Sequence, residues 1–234
     1  SKVSKGYFDI ETDIRYTNND FPELGECPIN AISYFDEREY QLHTFLLRNP
    51  KNSLIDKFEN DYESNKINSN TIDEFVHANI GEGIYNELNL GKISYKIYFY
   101  DDEINLISDF FKIVNTIFKP DFIGGWNSDA FDIAYIIARI QNLGYDPKYI
   151  MTDPDWEEKY VVNYVDQRHI NELPERGDFT YISGSTVWID YMIQFASRRK
   201  AKFSSFGSMK LDSIGELVAH VRKLDYSNIT NNIG

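Results

Sequence analysis

Asp9 and Glu11 stand two residues apart in the stretch Phe8-Asp9-Ile10-Glu11-Thr12, at the end of a short apolar run. Read as a strand, the stretch turns both carboxylates to one face and Phe8 and Ile10 to the other. Like charges held that close raise each other's pKa unless a cation lies between them, which is the chemistry of a divalent-metal site. The spacing alone is common: 37 of the 234 residues are acidic, so about six acidic-x-acidic triplets arise by chance. A second segment, Asp121-Phe122-Ile123-Gly124-Gly125-Trp126-Asn127-Ser128-Asp129-Ala130-Phe131-Asp132, narrows the choice. Its apolar run ends in Gly-Gly and a polar turn follows. Ser128 or Asp129 is placed to cap a helix with Ile133, Ile136, Ile137 and Ile140 on its apolar side. Asp132 then falls in the first helical turn, where the macrodipole favours the ionised carboxylate that a hard cation needs. First-turn acids without any further role are also common in helices.

Taken together and in this order, the two segments resemble the first and second exonuclease motifs of family B DNA polymerases. Phe8-Asp9-Ile10-Glu11-Thr12 is similar to the first; Gly125-Trp126-Asn127, three residues and then Phe131-Asp132 are similar to the second. The resemblance runs along nearly the whole chain. Tyr98-Phe99-Tyr100-Asp101-Asp102-Glu103 looks like the family's segment between the motifs, and Trp188-Ile189-Asp190-Tyr191 like a later strand-to-helix passage. Leu211-Asp212-Ser213-Ile214 through Lys223-Leu224-Asp225-Tyr226 looks like its following helix and loop. The flavour is nearest to polymerases of large tailed phages of the T-even kind.

The resemblance implies a ribonuclease H-like α/β fold and a proofreading 3′→5′ exonuclease, which removes mispaired nucleotides from the 3′ end of a DNA strand. It implies two divalent ions, magnesium or manganese, held by four carboxylates. Carried over residue by residue, Asp9 is the bridging ligand and Glu11 its partner on the first ion. Asp132 serves the second, directly or through its water shell. Thr12, Asn127 and Phe131 are carried over as substrate-binding positions, Phe131 as a base-stacking ring beside the metals. The implied partners are the 3′ end of single-stranded DNA and the remainder of a polymerase, and the implied location is the cytoplasm of a host cell.

The fourth carboxylate does not carry over. In the family it follows a tyrosine by four residues on a helix beyond the loop at 223–226, whereas here Tyr226 is followed four places later by Thr230 and the sequence stops at Gly234. The expectation is one exonuclease domain over 1–234, cut before the third motif and weak or inactive alone. Two other readings stay open. One is a non-catalytic DNA-binding or docking module of a split polymerase. The other is a stand-alone nuclease of a sister branch that uses the pair His220 and Asp225, spaced His-x-x-x-x-Asp. No palm-domain aspartate motifs occur, so polymerisation is not expected of this chain.

Composition suits a single folded domain: 42% hydrophobic and 15% aromatic residues over 234 positions can bury a sizeable core. No apolar run is long enough to span a membrane, and the single Cys27 excludes an internal disulfide and suits a reducing cytosol. Zinc is disfavoured by the lack of Cys/His clusters. The net charge of −13 opposes nucleic-acid binding unless metal ions or a neighbouring domain supply positive charge. Basic residues concentrate at Arg198-Arg199-Lys200-Ala201-Lys202, where they can track a single strand or complement the end of a helix.

The elements that must position these residues read as mixed α/β. Strands are expected at Tyr7 to Ile10, Ala31 to Phe35 and Tyr40 to Leu47, pairing antiparallel, with a polar helix-and-loop stretch from 51 to 70. A further strand at Tyr95 to Tyr100 precedes a helix capped by Asp101 or Asp102, with Ile104, Ile107, Phe111, Val114 and Phe118 at helical spacing. The crossover makes Asp121 to Gly124 a parallel strand and puts Asp9 and Glu11 on the central one. Alternating residues from about 155 to 185 predict a β-hairpin insertion, and Asp190 reads as a helix cap, not a metal ligand.

Overall fold

The alternation expected around Asp9 extends along the whole of β1 (Lys5–Thr12): Gly6, Phe8 and Ile10 are buried while Tyr7, Asp9 and Glu11 point outward. In the computed structural model, which describes residues 2–18, 20–48, 54–202 and 208–223, this strand sits inside a six-stranded sheet. It pairs antiparallel with β2 (Ile29–Asp36), with Asp9 opposite Ser33. Next to β2 lies antiparallel β3 (Gln41–Leu47), then β4 (Ser94–Tyr100), parallel to β3. On its other side β1 pairs in parallel with β5 (Phe122–Gly125). Tyr40, expected to start a strand, instead occupies the turn before β3 with φ 51°, and β2 begins two residues earlier than its apolar run.

A parallel neighbour cannot follow β3 through a tight turn, so residues 54 to 92 supply a crossover. It carries α1 (Leu54–Glu63), α2 (Ser69–Ile80) and α3 (Glu82–Glu87). Asn68 and Thr71 form a capping box that starts α2. The crossover also covers the sheet edge, because the outward amides of β4 donate to side chains: Tyr95 to Ser69 Oγ at 3.0 Å and Ile97 to Tyr62 Oη at 3.2 Å.

The helix after β4 is α4 (Glu103–Ile113), extended by one π-helical turn, Val114–Phe118. Leu106, Ile107, Phe110 and Phe111 lie against the inner face of the sheet, where Phe8 meets Trp188 edge-on at 5.7 Å and Tyr34 stacks on Phe118 at 4.9 Å. Asp102 occupies the position before α4, but its carboxylate takes Asn105 Nδ2 and not a backbone amide, while Asp101 pairs with Arg48.

Two helices follow β5: α5 (Asp132–Asn142), whose Ile133, Tyr135, Ile136 and Ile140 complete the main core, and α6 (Pro147–Met151). The expected insertion is a separate antiparallel pair, β6 (Val161–Tyr164) and β7 (Phe179–Ile182), in which Asn163 faces Thr180. The chain then returns to the large sheet as β8 (Val187–Asp190), parallel to β5. The full order is β4-β3-β2-β1-β5-β8: antiparallel pairing first, then parallel strands with crossovers, as the ribonuclease H-like reading requires. The last elements are α7 (Tyr191–Lys202) and α8 (Leu211–Ala219), joined by a smaller core of Leu173, Met192, Ile193, Ala196, Met209 and Ile214. No helix among the described residues is long and apolar enough to cross a membrane.

Gly124 and Gly125 draw β5 close to both neighbours. A Cβ on Gly124 would collide with the Ile189 carbonyl of β8, and one on Gly125 would lie 2.6 Å from the Phe8 carbonyl of β1. The pair therefore brings the start of α5 up to the end of the strand that carries Asp9.

Candidate metal centre

Asp132 opens α5 at the carboxyl end of β5, and the Ile10 amide of β1 donates to its Oδ1 at 3.2 Å. That bond pins the first turn of a helix to the central strand. Asp132 is buried, while Asp9 and Glu11 reach solvent beside it. The structure thus brings the three sequence-predicted carboxylates to one end of the sheet.

Their electrostatics are those of unneutralised neighbours. Burial, followed by the charge of Asp9, pushes the Asp132 carboxyl up to about 8. Burial by the surrounding protein raises Asp9 even though the residue is exposed, while the Lys223 ammonium and a hydrogen bond with Asp132 hold it down. Glu11 is raised first by burial and then by Asp9, again with Lys223 opposing. Asp9 and Asp132 can share a proton, as two close carboxyls do. Glu11 is offset from Asp9 by two strand residues, about 6.6 Å of rise. Among the described residues no three His, Cys, Asp or Glu side chains are gathered into a ready-made cage. The donors nevertheless fit a hard divalent cation: all are oxygens, and their raised pKa values are what such a cation would reverse.

Asp190 is a helix cap, as its place in the sequence suggested. It accepts from the amides of Met192 at 2.9 Å and Ile193 at 3.4 Å, and also from Asn127 and Asp129, both at 3.2 Å. Its carboxylate is therefore committed to four backbone donors, although its charge still reaches Asp132. The helix start differs from the one the sequence predicts. Neither Ser128 nor Asp129 caps α5 with its side chain: Ser128 Oγ takes the Gly125 amide at 3.2 Å and Asp129 takes the Thr180 hydroxyl at 2.6 Å. The tight turn after Gly-Gly turns these side chains back toward the strands.

The substrate-binding candidates are spread around the carboxylates. Thr12 ends β1 where the register with β2 shifts. Asn127 has a left-handed backbone, φ 63°, at the apex of the turn. Phe131 is half-buried between Tyr135, at 5.6 Å, and Phe21, at 5.4 Å. Trp126 belongs to the smaller core, its Nε1 donating to the Met209 carbonyl at 2.9 Å.

Two residues at the site escaped the sequence reading. Phe21 is 80% exposed and extends the ring of Phe131 outward. Lys223, just past α8, is the cation that opposes the charge-raising effects on both Asp9 and Glu11; its amide is tied to Asp212 Oδ1 at 2.7 Å. A Phe and a Lys in loops have no periodicity to mark them. His220 ends α8 in a left-handed conformation and lines a cleft with Ser213 and Glu216, while Asp225, the other half of the histidine-branch reading, lies outside the described residues, as do Tyr226 and Thr230. The basic run 198–202 occupies the last turns of α7, where Arg199 lies 6.0 Å from the Phe195 ring.

Residues 6–215 match the family described as DNA polymerase family B, exonuclease domain. The chain is similar to two phage proteins named DNA-directed DNA polymerase. It is 25% identical to that of Escherichia phage RB69 over 229 residues, covering 97% of this chain and 22% of the relative. It is 21% identical to that of Enterobacteria phage T4 over 223 residues, covering 94% and 22%. The chain spans about a fifth of the length of these curated relatives.

Proposed function

Because this chain belongs to the exonuclease-domain family of family B DNA polymerases, we propose that it is the proofreading unit of such a polymerase, hydrolysing the 3′-terminal phosphodiester of single-stranded DNA with magnesium or manganese. The observation that carries this reading is that Asp9 and Asp132 share a hydrogen bond at one end of the central strands while Glu11, on the same strand face, feels the charge of Asp9, each of the three having a raised pKa. Asp9, Glu11 and Asp132 would be the residues that hold the cations. Two divalent cations bound there would balance the carboxylates and supply positive charge to both the attacking and the leaving oxygen. Lys223, whose charge already reaches Asp9 and Glu11, would offer its ammonium to the phosphate. Phe131 and Phe21 would take the terminal base by stacking, which tolerates any base. The partner is the remainder of a polymerase, which also supplies the basic surface that a chain of net charge −13 lacks.

Asp190, whose charge also reaches Asp132, is committed to four backbone amides and is not offered as the fourth ligand. The chain alone is therefore expected to cleave slowly. The experiment is release of 3′-terminal nucleotides from end-labelled single-stranded DNA, with Mg2+ and then Mn2+, by this chain and its Asp9→Ala variant. Slow, metal-dependent release that disappears in the variant supports the proposal. Release that survives Asp9→Ala, or that starts from the 5′ end, would sink it.

A further inference from the structure

Asp129 is a buried carboxylate with no part in the chemistry proposed above, and it is held from three sides. The Thr180 hydroxyl of β7 donates to its Oδ1 at 2.6 Å. Asn163 Nδ2 of β6 donates to its carbonyl at 2.9 Å and to Thr180 Oγ at 3.0 Å. Its own amide donates to Asp190 Oδ2 at 3.2 Å. Asn163 and Thr180 face each other across the hairpin, so this one residue grips both strands of the insertion at its inner face.

We propose that Asp129 is a positioning residue that keys the β6–β7 hairpin to the turn carrying Asp132, so that the geometry of the metal site depends on how the hairpin is seated. The inference rests on the reading of Asp132 as a metal ligand. The path between the two aspartates is short and stiff. Spanning this stretch, the Phe131 amide donates to the Asn127 carbonyl at 3.0 Å and the Ile133 amide to the Ser128 carbonyl at 2.8 Å. The turn therefore moves as a unit, and a displacement at Asp129 is delivered to Asp132 three residues on, where α5 begins. A buried carboxylate beside another aspartate is expensive to keep, and its charge-assisted bond to Thr180 is stronger and more directional than a neutral one. On its other face the hairpin exposes Val162, Tyr164, Phe179 and Tyr181, so any partner that presses on that face acts on the far end of the same lever.

The test is Mn2+ binding by calorimetry to the whole chain and to variants altered only in the hairpin. Thr180→Val keeps the shape but removes the hydroxyl, and is expected to weaken Mn2+ binding about tenfold, the lower range for loss of a group that orients a metal ligand. Thr180→Ser restores the hydroxyl and should restore the affinity. If Thr180→Val does not fold, Asn163→Ala carries the same test, with a severalfold loss expected. A variant that melts at lower temperature yet binds Mn2+ as the unaltered chain does would overturn the proposal, because the link would then be merely structural. Asp132→Asn serves as the reference. If it abolishes binding while the hairpin variants do not, the metal site stands and the coupling falls. No Mn2+ binding by the unaltered chain overturns both.

Discussion

A carboxyl that keeps its proton at neutral pH must lose it before it can ligate a cation. Asp132, pushed up to about 8 by burial and by Asp9, is such a group. Mn2+ affinity should therefore rise about tenfold per pH unit up to about pH 8 and then level off, because binding displaces one proton below that point. The same shift sets a stability trend with the opposite sense. The folded-state pKa lies above the unfolded value of 3.8, so between about 4 and 8 the metal-free folded chain holds a proton that the unfolded chain does not. This contribution is fully present below about pH 4 and is lost as pH rises through 8. Thermal melts of the metal-free chain and of Asp132→Asn across this range should diverge accordingly, and parallel curves would contradict the assignment. Phe21 allows a separate test. With Phe21 80% exposed, Phe21→Ala should leave the melting temperature unchanged and weaken single-stranded DNA binding about tenfold, as loss of one stacking partner does. Fluorescence anisotropy with a labelled oligonucleotide would measure it. At this scale Asp9, Glu11 and Asp132 are candidates because two motifs in the right order resemble those of a family, whereas nothing in the sequence marks Lys223 or Phe21. They reach the site by tertiary folding from loops, and no local pattern announces that.

Elements were legible where one periodicity held over several residues, and less so where a tertiary contact competed with a local rule. The alternation of β1 and the apolar face of α4 could both be read in the sequence. Asp102 does take the N-cap position of α4, but its side chain, like that of Asp129 before α5, bonds a side-chain partner, Asn105 or Thr180, in place of a helix amide. The π-helical turn at Val114–Phe118 also left no trace, since Val114 and Phe118 keep the spacing of four that an α-helix would give them. The Gly124-Gly125 pair was read as the end of a strand, but its larger role is to let three strands close up. Gly124→Ala should therefore cost about 3 kcal/mol or more, since its Cβ meets a backbone carbonyl and not a flexible side chain. Denaturant unfolding would show it. A near-neutral substitution would mean that β5 and β8 can separate more easily than their packing implies.

For the molecule as a whole, the sheet order followed from the order of strands and crossovers, because few topologies join antiparallel β1–β3 to parallel β5 and β8 without a left-handed connection. The parallel placement of β4 beside β3 was harder to foresee, since it depends on a long crossover whose amphipathic helices fit either a parallel or an antiparallel return. That crossover has a consequence for solubility. By giving Tyr95 and Ile97 side-chain acceptors from Ser69 and Tyr62, it removes an edge on which a second chain could add a strand. A chain lacking residues 54 to 92, with β3 and β4 rejoined by a flexible linker, should retain its inner core yet elongate into strand-paired aggregates as concentration rises. Light scattering would detect this in the shortened chain and not in the parent.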